Sequence, residues 1–169
     1  MLRFGVALGV VLAAGSLALA DAPPDQYGLF DMTSVVIVDD YTRLNWQRTP
    51  LTGTFNYGGA VAACAALVLT TQTPGPDGGF PQTGWRLPSY KEALTLVDES
   101  PHTEYQNGKL VDVATDGHAF PLTLVDAPYW SSSIVATTRT EAFVIDFRTG
   151  VVETRPKSTS TLHARCVHD

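Results

Sequence analysis

Basic residues are scarce in this chain. Its 169 residues include 11 Lys and Arg against 17 Asp and Glu, and the formal net charge is −6 at pH 7. A nucleic-acid binder needs a basic face to meet phosphates, so this balance argues against nucleic acid as a partner. It also weighs against sulfated or otherwise anionic ligands. Charged residues make up only 17% of the chain, and its richness in Thr, Val, Gly and Pro favours strands and ordered loops over helical bundles.

The chain has only one long apolar run, from Phe4 to Leu19. The run follows Met1-Leu2-Arg3 and ends in the small-x-small sequence Ala18-Leu19-Ala20, the pattern of a cleavable secretory signal peptide. A transmembrane anchor is the alternative, but the run is shorter than the ~20 residues that a span needs. We predict a periplasmic or secreted protein that is not inserted in the membrane after cleavage. The predicted divisions are a signal peptide over 1–20, a flexible leader over 21–33 and one domain over 34–169.

Cysteine is almost absent: the chain contains Cys64 and Cys166 only. Two cysteines cannot form a Cys-rich zinc site unaided. In an oxidising compartment two cysteines are more often bonded than free, so we expect a disulfide.

Familiar catalytic motifs are also missing. The chain beyond the signal peptide has no Gly-x-Ser-x-Gly and no Gly-rich phosphate loop before a helix. Its four histidines are scattered, with no pair at i, i+4, and a zinc site assembled in space is only an alternative. Asp112, Asp116 and Asp126 could gather around a metal, although solvated loop acids are the simpler interpretation. We predict that the protein is not an enzyme and has no metal and no cofactor.

Residue patterns predict an α+β domain. Residues 34–38 and 43–47 flank a turn and predict a hairpin. Gly58–Leu69 is rich in Ala and predicts one helix, and the capping box of Ser89 and Glu92 begins a second. Residues 98–128 show no clear period and are expected to form a long ordered loop. Further strands are predicted over 129–132, 142–147, 151–155 and 162–167, with the last three forming a meander.

Six short motifs follow one another in a characteristic order. They are Leu44-x-Trp46, Ala60-x-x-x-Cys64, Trp85-Arg86-Leu87-Pro88-Ser89 with Glu92, Tyr129-Trp130-Ser131-Ser132, Phe147-x-x-Gly150 and Arg165-Cys166-Val167. In this order the chain closely resembles the DUF1566 family, also described as the C-terminal domain of the Legionella collagen-like adhesin Lcl. The resemblance covers about residues 34–169.

The resemblance implies a variant of the C-type lectin-like fold, which is also the broad fold of the formylglycine-generating enzyme. Two helices would pack on short antiparallel sheets, and Cys64 and Cys166 match the fold's long-range disulfide. That bond would leave no thiol for formylglycine chemistry. Calcium-dependent sugar binding is not expected either, because residues 133–141 are too few for the calcium loop and contain a single acid, Glu141.

The shared motifs contain residues with expected structural roles: Trp46, Trp85, Arg86, Pro88, Tyr129 and Trp130. We expect the three tryptophans to pack in the core rather than to stack on a ligand. Arg86 is expected to be a buried or half-buried ion-pair partner that holds its loop, and its guanidinium could also satisfy several backbone carbonyls.

Adhesion is implied by the family resemblance alone. We predict an exported, non-catalytic binding or adhesion module that recognises a glycan or a cell-surface component. The alternatives are a structural or assembly subunit of a surface apparatus, which would bind protein, and an uncharacterised enzyme. Because function usually lies on loops held by a scaffold, two loops supply the ligand-binding candidates. These are Tyr105, Asn107 and His118 in the loop over residues 98–128, and Phe80 and Gln82 in a Pro/Gly-rich loop from Thr71 to Thr83. The alternative surface is the strand face around Arg148, Arg155 and Lys157.

Overall fold

A computed structural model describes Pro23 and residues 25–28, 34–69, 83–98 and 100–169. The predicted signal peptide, most of the leader, Phe80 and Gln82 lie outside these residues. Within them the elements follow in the order β1 (Val36–Val38), β2 (Asn45–Gln47), α1 (Tyr57–Ala65), α2 (Tyr90–Leu94), β3 (His102–Gln106), β4 (Lys109–Val113), β5 (Tyr129–Ile134), β6 (Glu141–Asp146), β7 (Val151–Pro156) and β8 (Val167–His168).

The strands form three small antiparallel sheets, with the orders β1-β2-β8, β3-β4 and β5-β6-β7. The first sheet contains the predicted hairpin, in which Ile37 lies opposite Trp46. On its other side Trp46 lies opposite Val167 of β8. The buried middle position of β2 therefore joins the two ends of the domain. This architecture confirms the predicted α+β class with two helices and short antiparallel sheets.

Both predicted helices are present, and each begins at a polar cap. The Asn56 side chain accepts a hydrogen bond from the Gly59 amide at the start of α1, 2.8 Å away. Ser89 and Glu92 form the predicted capping box at the start of α2. The first helix ends at Ala65, earlier than the predicted Leu69. β-Branched Val68 has a lower helix propensity than alanine, and Leu67 and Leu69 pack against the core outside the helix.

The prediction of which strands form the meander is wrong. The three consecutive strands that pair are β5, β6 and β7, with Val144 of β6 opposite both Trp130 and Glu153. Residues 162–167 do not extend this sheet as a continuous strand. Leu162 and His163 make isolated bridges, and Val167 begins β8 beside β2. This placement brings Cys166 next to the first sheet rather than onto an outer strand of the meander.

Residues 98–128 are not an irregular loop, because β3 and β4 form a regular hairpin within them. Its two-residue turn consists of Asn107 and Gly108, whose φ angles of 49° and 79° are those that a type I′ turn requires. The sequence of β3 does not show the usual alternation of apolar and polar residues, because its inward positions are polar. His102, Glu104 and Gln106 are half-buried, whereas the residues between them are exposed.

A disulfide and three tryptophans hold the interior together. Cys64 of α1 is bonded to Cys166, which confirms the predicted pair, and both residues are fully buried. Trp46, Trp85 and Trp130 are each at most 2% exposed, as expected for core residues. The indole Nε1 of Trp130 donates to the Phe55 carbonyl at 2.9 Å. The disulfide and the three buried indoles therefore anchor the core of the domain.

Among the described residues, no helix has both the length and the apolar character needed to cross a membrane.

Candidate functional site

A polar cleft of about 470 Å³ lies along the inner side of the β3–β4 hairpin. Its walls are Asp98 and Ser100 after α2, His102 and Glu104 on β3, and the turn of residues 115–118 after β4. Asp98 and Thr115 are buried, whereas the other lining residues are partly or fully exposed. The cleft therefore has a buried floor and an open, hydrogen-bonding rim, and it includes His118 from the predicted ligand-binding set.

Backbone bonds from the core set the position of the cleft. The Asp98 amide donates to the Ala114 carbonyl at 3.0 Å, and the Ala114 amide donates to the Phe147 carbonyl at 2.7 Å. Asp116 then shapes the turn, because its Oδ1 accepts hydrogen bonds from the amides of His118 and Ala119, each at 2.8 Å. The cleft is consequently carried by hydrogen-bonded backbone rather than by a free loop.

One imidazole is packed tightly inside the cleft. A Cβ atom placed on Gly117 would lie 2.7 Å from Nε2 of His102, so any other residue at position 117 would have to displace this ring. On its other side the same Nε2 lies 2.7 Å from Oε1 of Glu104. An ionised carboxylate can only accept a hydrogen bond, so Nε2 carries the proton that it shares with Glu104. His102 and Glu104 thus form a preset pair on one wall.

Gln106 extends this polar row and ties the hairpin to the following segment. Its Nε2 donates to Oε2 of Glu104 at 3.0 Å and to the Thr123 carbonyl at 2.7 Å. Its Oε1 accepts from the Val125 amide at 3.3 Å. The inward side chains of β3 are therefore all oriented by hydrogen-bond partners.

The outer face of the hairpin has a different character. Tyr105 and Leu110 lie directly opposite each other on β3 and β4, and they are 73% and 72% exposed. Asn107 is at the tip of the same hairpin. Tyr105 alternates with Glu104 and Gln106, so it points away from the cleft. The structure thus places His118 on the cleft and puts Tyr105 and Asn107 on the opposite face and the tip.

Arg86 is the ion-pair partner that the sequence predicts. Its guanidinium donates to both carboxylate oxygens of Glu92 and also to Asp169. These hydrogen bonds raise the pKa of Arg86 and lower those of Glu92 and Asp169. The partners are carboxylates rather than backbone carbonyls. Pro88, in the same box, is buried, and its carbonyl accepts a hydrogen bond from the Ser132 amide at 2.7 Å.

A family model described as the Lcl C-terminal domain matches residues 35–168. The chain belongs to the Lcl C-terminal domain family. This match confirms the resemblance and covers the hairpin, the cleft and both cysteines. No functionally curated protein matches the chain.

In this Lcl C-terminal domain the Arg-Cys-Val motif places a cation in the interior. Arg165 is 2% exposed and donates from Nη2 to Oγ1 of Thr123 at 2.9 Å. Its guanidinium lies over the rings of Phe120 and Tyr129, at 4.9 and 6.0 Å from their centroids. Burial lowers the pKa of Arg165 and raises the pKa of Tyr129 to about 12. Tyr129 is therefore neutral at physiological pH, and its hydroxyl accepts from the Leu124 amide at 2.9 Å.

The three aspartates that could have gathered around a metal have separate partners in this Lcl C-terminal domain. Asp112 accepts from Thr103 Oγ1 on the outer face of the hairpin, Asp116 shapes the cleft turn, and Asp126 lies 2.7 Å from Nε2 of His163. Across the residues that the structure describes, no three His, Cys, Asp or Glu side chains are grouped so as to hold a metal ion.

Sequence reasoning missed Asp98, Ser100, Glu104, Thr115 and Gly117 as cleft residues. The dipeptide Asn107-Gly108 was the available signal, because it is the strongest short-range indication of a hairpin. Recognising that turn would have placed His102 and Glu104 on one face. Nothing local in the sequence shows that the turn after β4 meets this face, because that contact depends on tertiary packing.

Proposed function

We propose that this chain is an exported, non-catalytic binding module that recognises a saccharide through the polar cleft. One observation carries the proposal: nearly every side chain of the cleft has a hydrogen-bonding group, and hydrogen bonds along β3 hold those of His102 and Glu104 in place. Carboxylates, hydroxyls and imidazoles are suited to the many hydroxyl groups of a sugar. An open rim fits a binder of extended chains better than an enzyme, which usually encloses its substrate.

The disulfide between Cys64 and Cys166 supports export and leaves neither of these two thiols free for catalysis. Disulfides persist in oxidising compartments, which agrees with the predicted signal peptide. Because Cys64 and Cys166 are bonded to each other, neither is available as a nucleophile. A bond from the first helix to the segment before the last strand also supports the C-type lectin-like topology as part of the proposal.

A second candidate, a subunit that binds protein in a surface apparatus, is favoured by Tyr105 and Leu110. Two large side chains exposed by more than 70% on one hairpin face provide apolar area that protein partners commonly bury. The two candidates therefore use opposite faces of the same hairpin, so variants can separate them.

The test is a glycan-array screen of the purified protein with two double variants. Ser100→Ala with His118→Ala alters the cleft, whereas Tyr105→Ala with Leu110→Ala alters the outer face. We expect the cleft variant to lose at least about tenfold in apparent affinity for the glycans bound by the wild type, and the outer-face variant to retain it. Loss in the outer-face variant alone, at unchanged melting temperature, would instead place binding on the outer face.

A further inference from the structure

A second pocket, smaller than the polar cleft, lies beside β2 and has a volume of about 220 Å³. Its described lining consists of Gln47, two threonines and four aliphatic side chains, those of Val35, Pro50, Leu51 and Leu69. Neither acidic nor basic side chains are among these lining residues. We call this site the Gln47 pocket, and its lining suits a small neutral group that is partly apolar.

The amide side chain of Gln47 is held in a single orientation. Gln47 is only 6% exposed, and its Oε1 accepts a hydrogen bond from the Cys166 backbone amide at 3.0 Å. Because a backbone N–H can only donate, the oxygen must face Cys166 and the nitrogen must lie on the other side. The backbone amide of Gln47 in turn donates to the Cys166 carbonyl at 3.0 Å. Since Cys166 is bonded to Cys64, the core of the domain fixes this orientation.

The Nε2 group of Gln47 is left with unused hydrogen-bonding capacity. It carries two N–H donors, and it makes no hydrogen bond to any residue that the structure describes. Polar groups of side chains as buried as this one are nearly always paired, so an acceptor supplied by a ligand would be favourable here. The Gln47 pocket therefore combines an unmatched donor with aliphatic walls.

Backbone hydrogen bonds hold the walls of the pocket in place. The Leu51 amide donates to the Ala164 carbonyl at 3.0 Å, and the Arg48 amide donates to the Val35 carbonyl at 3.0 Å. The first bond ties one wall to the final segment of the chain, and the second ties the other wall to β2. Both walls are therefore parts of the hydrogen-bonded backbone rather than of a free loop.

We propose that the Gln47 pocket binds an acetamido group carried by an N-acetylated sugar. The carbonyl oxygen of an acetamido group accepts from Nε2, its methyl group packs on the aliphatic walls, and it carries no charge. Thr49 and Thr52 are exposed at the pocket, and their hydroxyls can exchange hydrogen bonds with those of the sugar ring, which an acetylated peptide lacks. The pocket is separate from the polar cleft, so this proposal does not depend on the function proposed for the cleft.

Three small probes test the group and its carrier. Magnetic resonance titration of the isotope-labelled protein would follow the side-chain amide signals of Gln47 during addition of N-acetylglucosamine, glucose or the amide of acetyl-lysine. We expect N-acetylglucosamine to shift these signals in a saturable way. Glucose has a hydroxyl in place of the acetamido group, and acetyl-lysine has no ring hydroxyls, so each should bind at least about tenfold more weakly.

Two variants and one control locate the site. In Gln47→Glu the carboxylate can still accept from the Cys166 amide but has no N–H to donate, so affinity for N-acetylglucosamine should fall at least about tenfold. Thr52→Trp fills the mouth of the pocket from an exposed position and should cause a similar loss. Thr54→Trp is the matched control, because Thr54 is exposed two residues further on and is not among the described lining residues. It should retain the wild-type affinity.

Several results would overturn the proposal. Equal affinity for N-acetylglucosamine and glucose would exclude the acetamido group as the feature recognised, and equal affinity for acetyl-lysine would exclude the sugar. The absence of a saturable shift with every probe would also overturn it, as would equal losses in Thr52→Trp and Thr54→Trp. Binding that is lost only in Ser100→Ala with His118→Ala would support the cleft instead. Melting temperatures within about 2 °C of wild type show that the tryptophan variants are folded, so the test does not depend on the stability of Gln47→Glu.

Discussion

The guanidinium of Arg86 donates to both carboxylate oxygens of Glu92, at 3.0 Å from Nη1 and 2.7 Å from Nη2. The backbone of Arg86 meanwhile exchanges two hydrogen bonds with Val167, at 2.8 and 2.9 Å. One residue thus connects the start of α2 to the last strand. Because Glu92 also closes the capping box, the ion pair and the helix start stabilise each other.

Replacing Glu92 with Gln should reduce stability in a pH-dependent way. The hydrogen bonds from Arg86 lower the pKa of Glu92 from its usual 4.5, so the stabilisation is fully present above that pH and is lost as pH falls through the folded value. Gln can preserve the capping box but not the charge. We expect a loss of about 1–2 kcal/mol at pH 7 that shrinks as pH falls below 4.5 and through the lowered pKa of Glu92, measured by urea unfolding.

Glu153→Gln is the control for that experiment. Glu153 pairs with Arg155 at 2.5 Å, but both side chains are about 40% exposed. Exposed pairs contribute little, so this variant should lose less than about 0.5 kcal/mol. A loss for Glu92→Gln that stays constant from pH 7 to the lowest pH at which the protein is still folded would contradict the role assigned to the ion pair.

Removing the disulfide should be the most destabilising of the changes considered. The sequence separation of Cys64 and Cys166 is 102 residues, and closing a loop of that size restricts the unfolded chain by about 4–5 kcal/mol in the chain-entropy model. Cys64→Ser with Cys166→Ser should lower the free energy of unfolding by about 2–5 kcal/mol. Reduced wild-type protein should match the double variant, and a wild-type melting temperature indifferent to reductant would refute the prediction.

Arg165 should tolerate an apolar substitute better than a cationic one. It is buried, its Nε and Nη1 have no hydrogen-bond partner in the described residues, and burial lowers its pKa. Met removes the buried charge and keeps similar volume, so Arg165→Met should change stability by less than about 1.5 kcal/mol. Arg165→Lys keeps the charge but loses the planar contact with Phe120, and should cost about 2–3 kcal/mol by urea unfolding. The reverse order would contradict this account.

Stability should not depend on calcium. The turn between β5 and β6 has no acidic residue before Glu141, and the described part of the chain has no cluster of three metal-binding side chains. Melting temperatures measured with EDTA and with millimolar calcium should agree within error. A calcium-dependent rise would reveal binding to the folded state and a ligand set that the described residues do not contain.

Processing in the native host should expose Asp21 as the first residue. The small-x-small sequence that ends at Ala20 is the basis for this expectation. Intact-mass measurement of the purified protein tests it directly, and retention of Met1 would end the argument for export.

Local signals in the sequence predicted the parts of the fold that depend on neighbouring residues. Ser89 and Glu92 marked the start of α2 because a capping box uses residues three apart. The tryptophans indicated the core because burying an indole is strongly favourable. Arg86 was correctly expected to be an ion-pair partner, although Asp169, at the far end of the chain, could not be named from its position.

The cleft could not be predicted in the same way. His102 and Gly117 meet only because the chain after β4 turns back onto β3, and no local period records that return. The polar inward face of β3 also reversed the usual pattern, since its most apolar residue, Tyr105, is exposed. The pairing of β8 with β2 was not predicted for a related reason. Val167 follows the meander in sequence, but its partner Trp46 lies near the other end of the domain's sequence.

The bond between Cys64 and Cys166 turns most of the described domain into one covalent ring, with the hairpin inside it. A protease that cuts the ring once, even at the exposed Asn107–Gly108 turn, produces two peptides that remain a single molecule until the sulfurs are reduced. Outside the cytoplasm, where proteases are common and reductants are not, such a nicked domain keeps its cleft residues tethered to the core. The disulfide thus keeps the cleft residues covalently attached to the core even after the backbone between Cys64 and Cys166 has been cut.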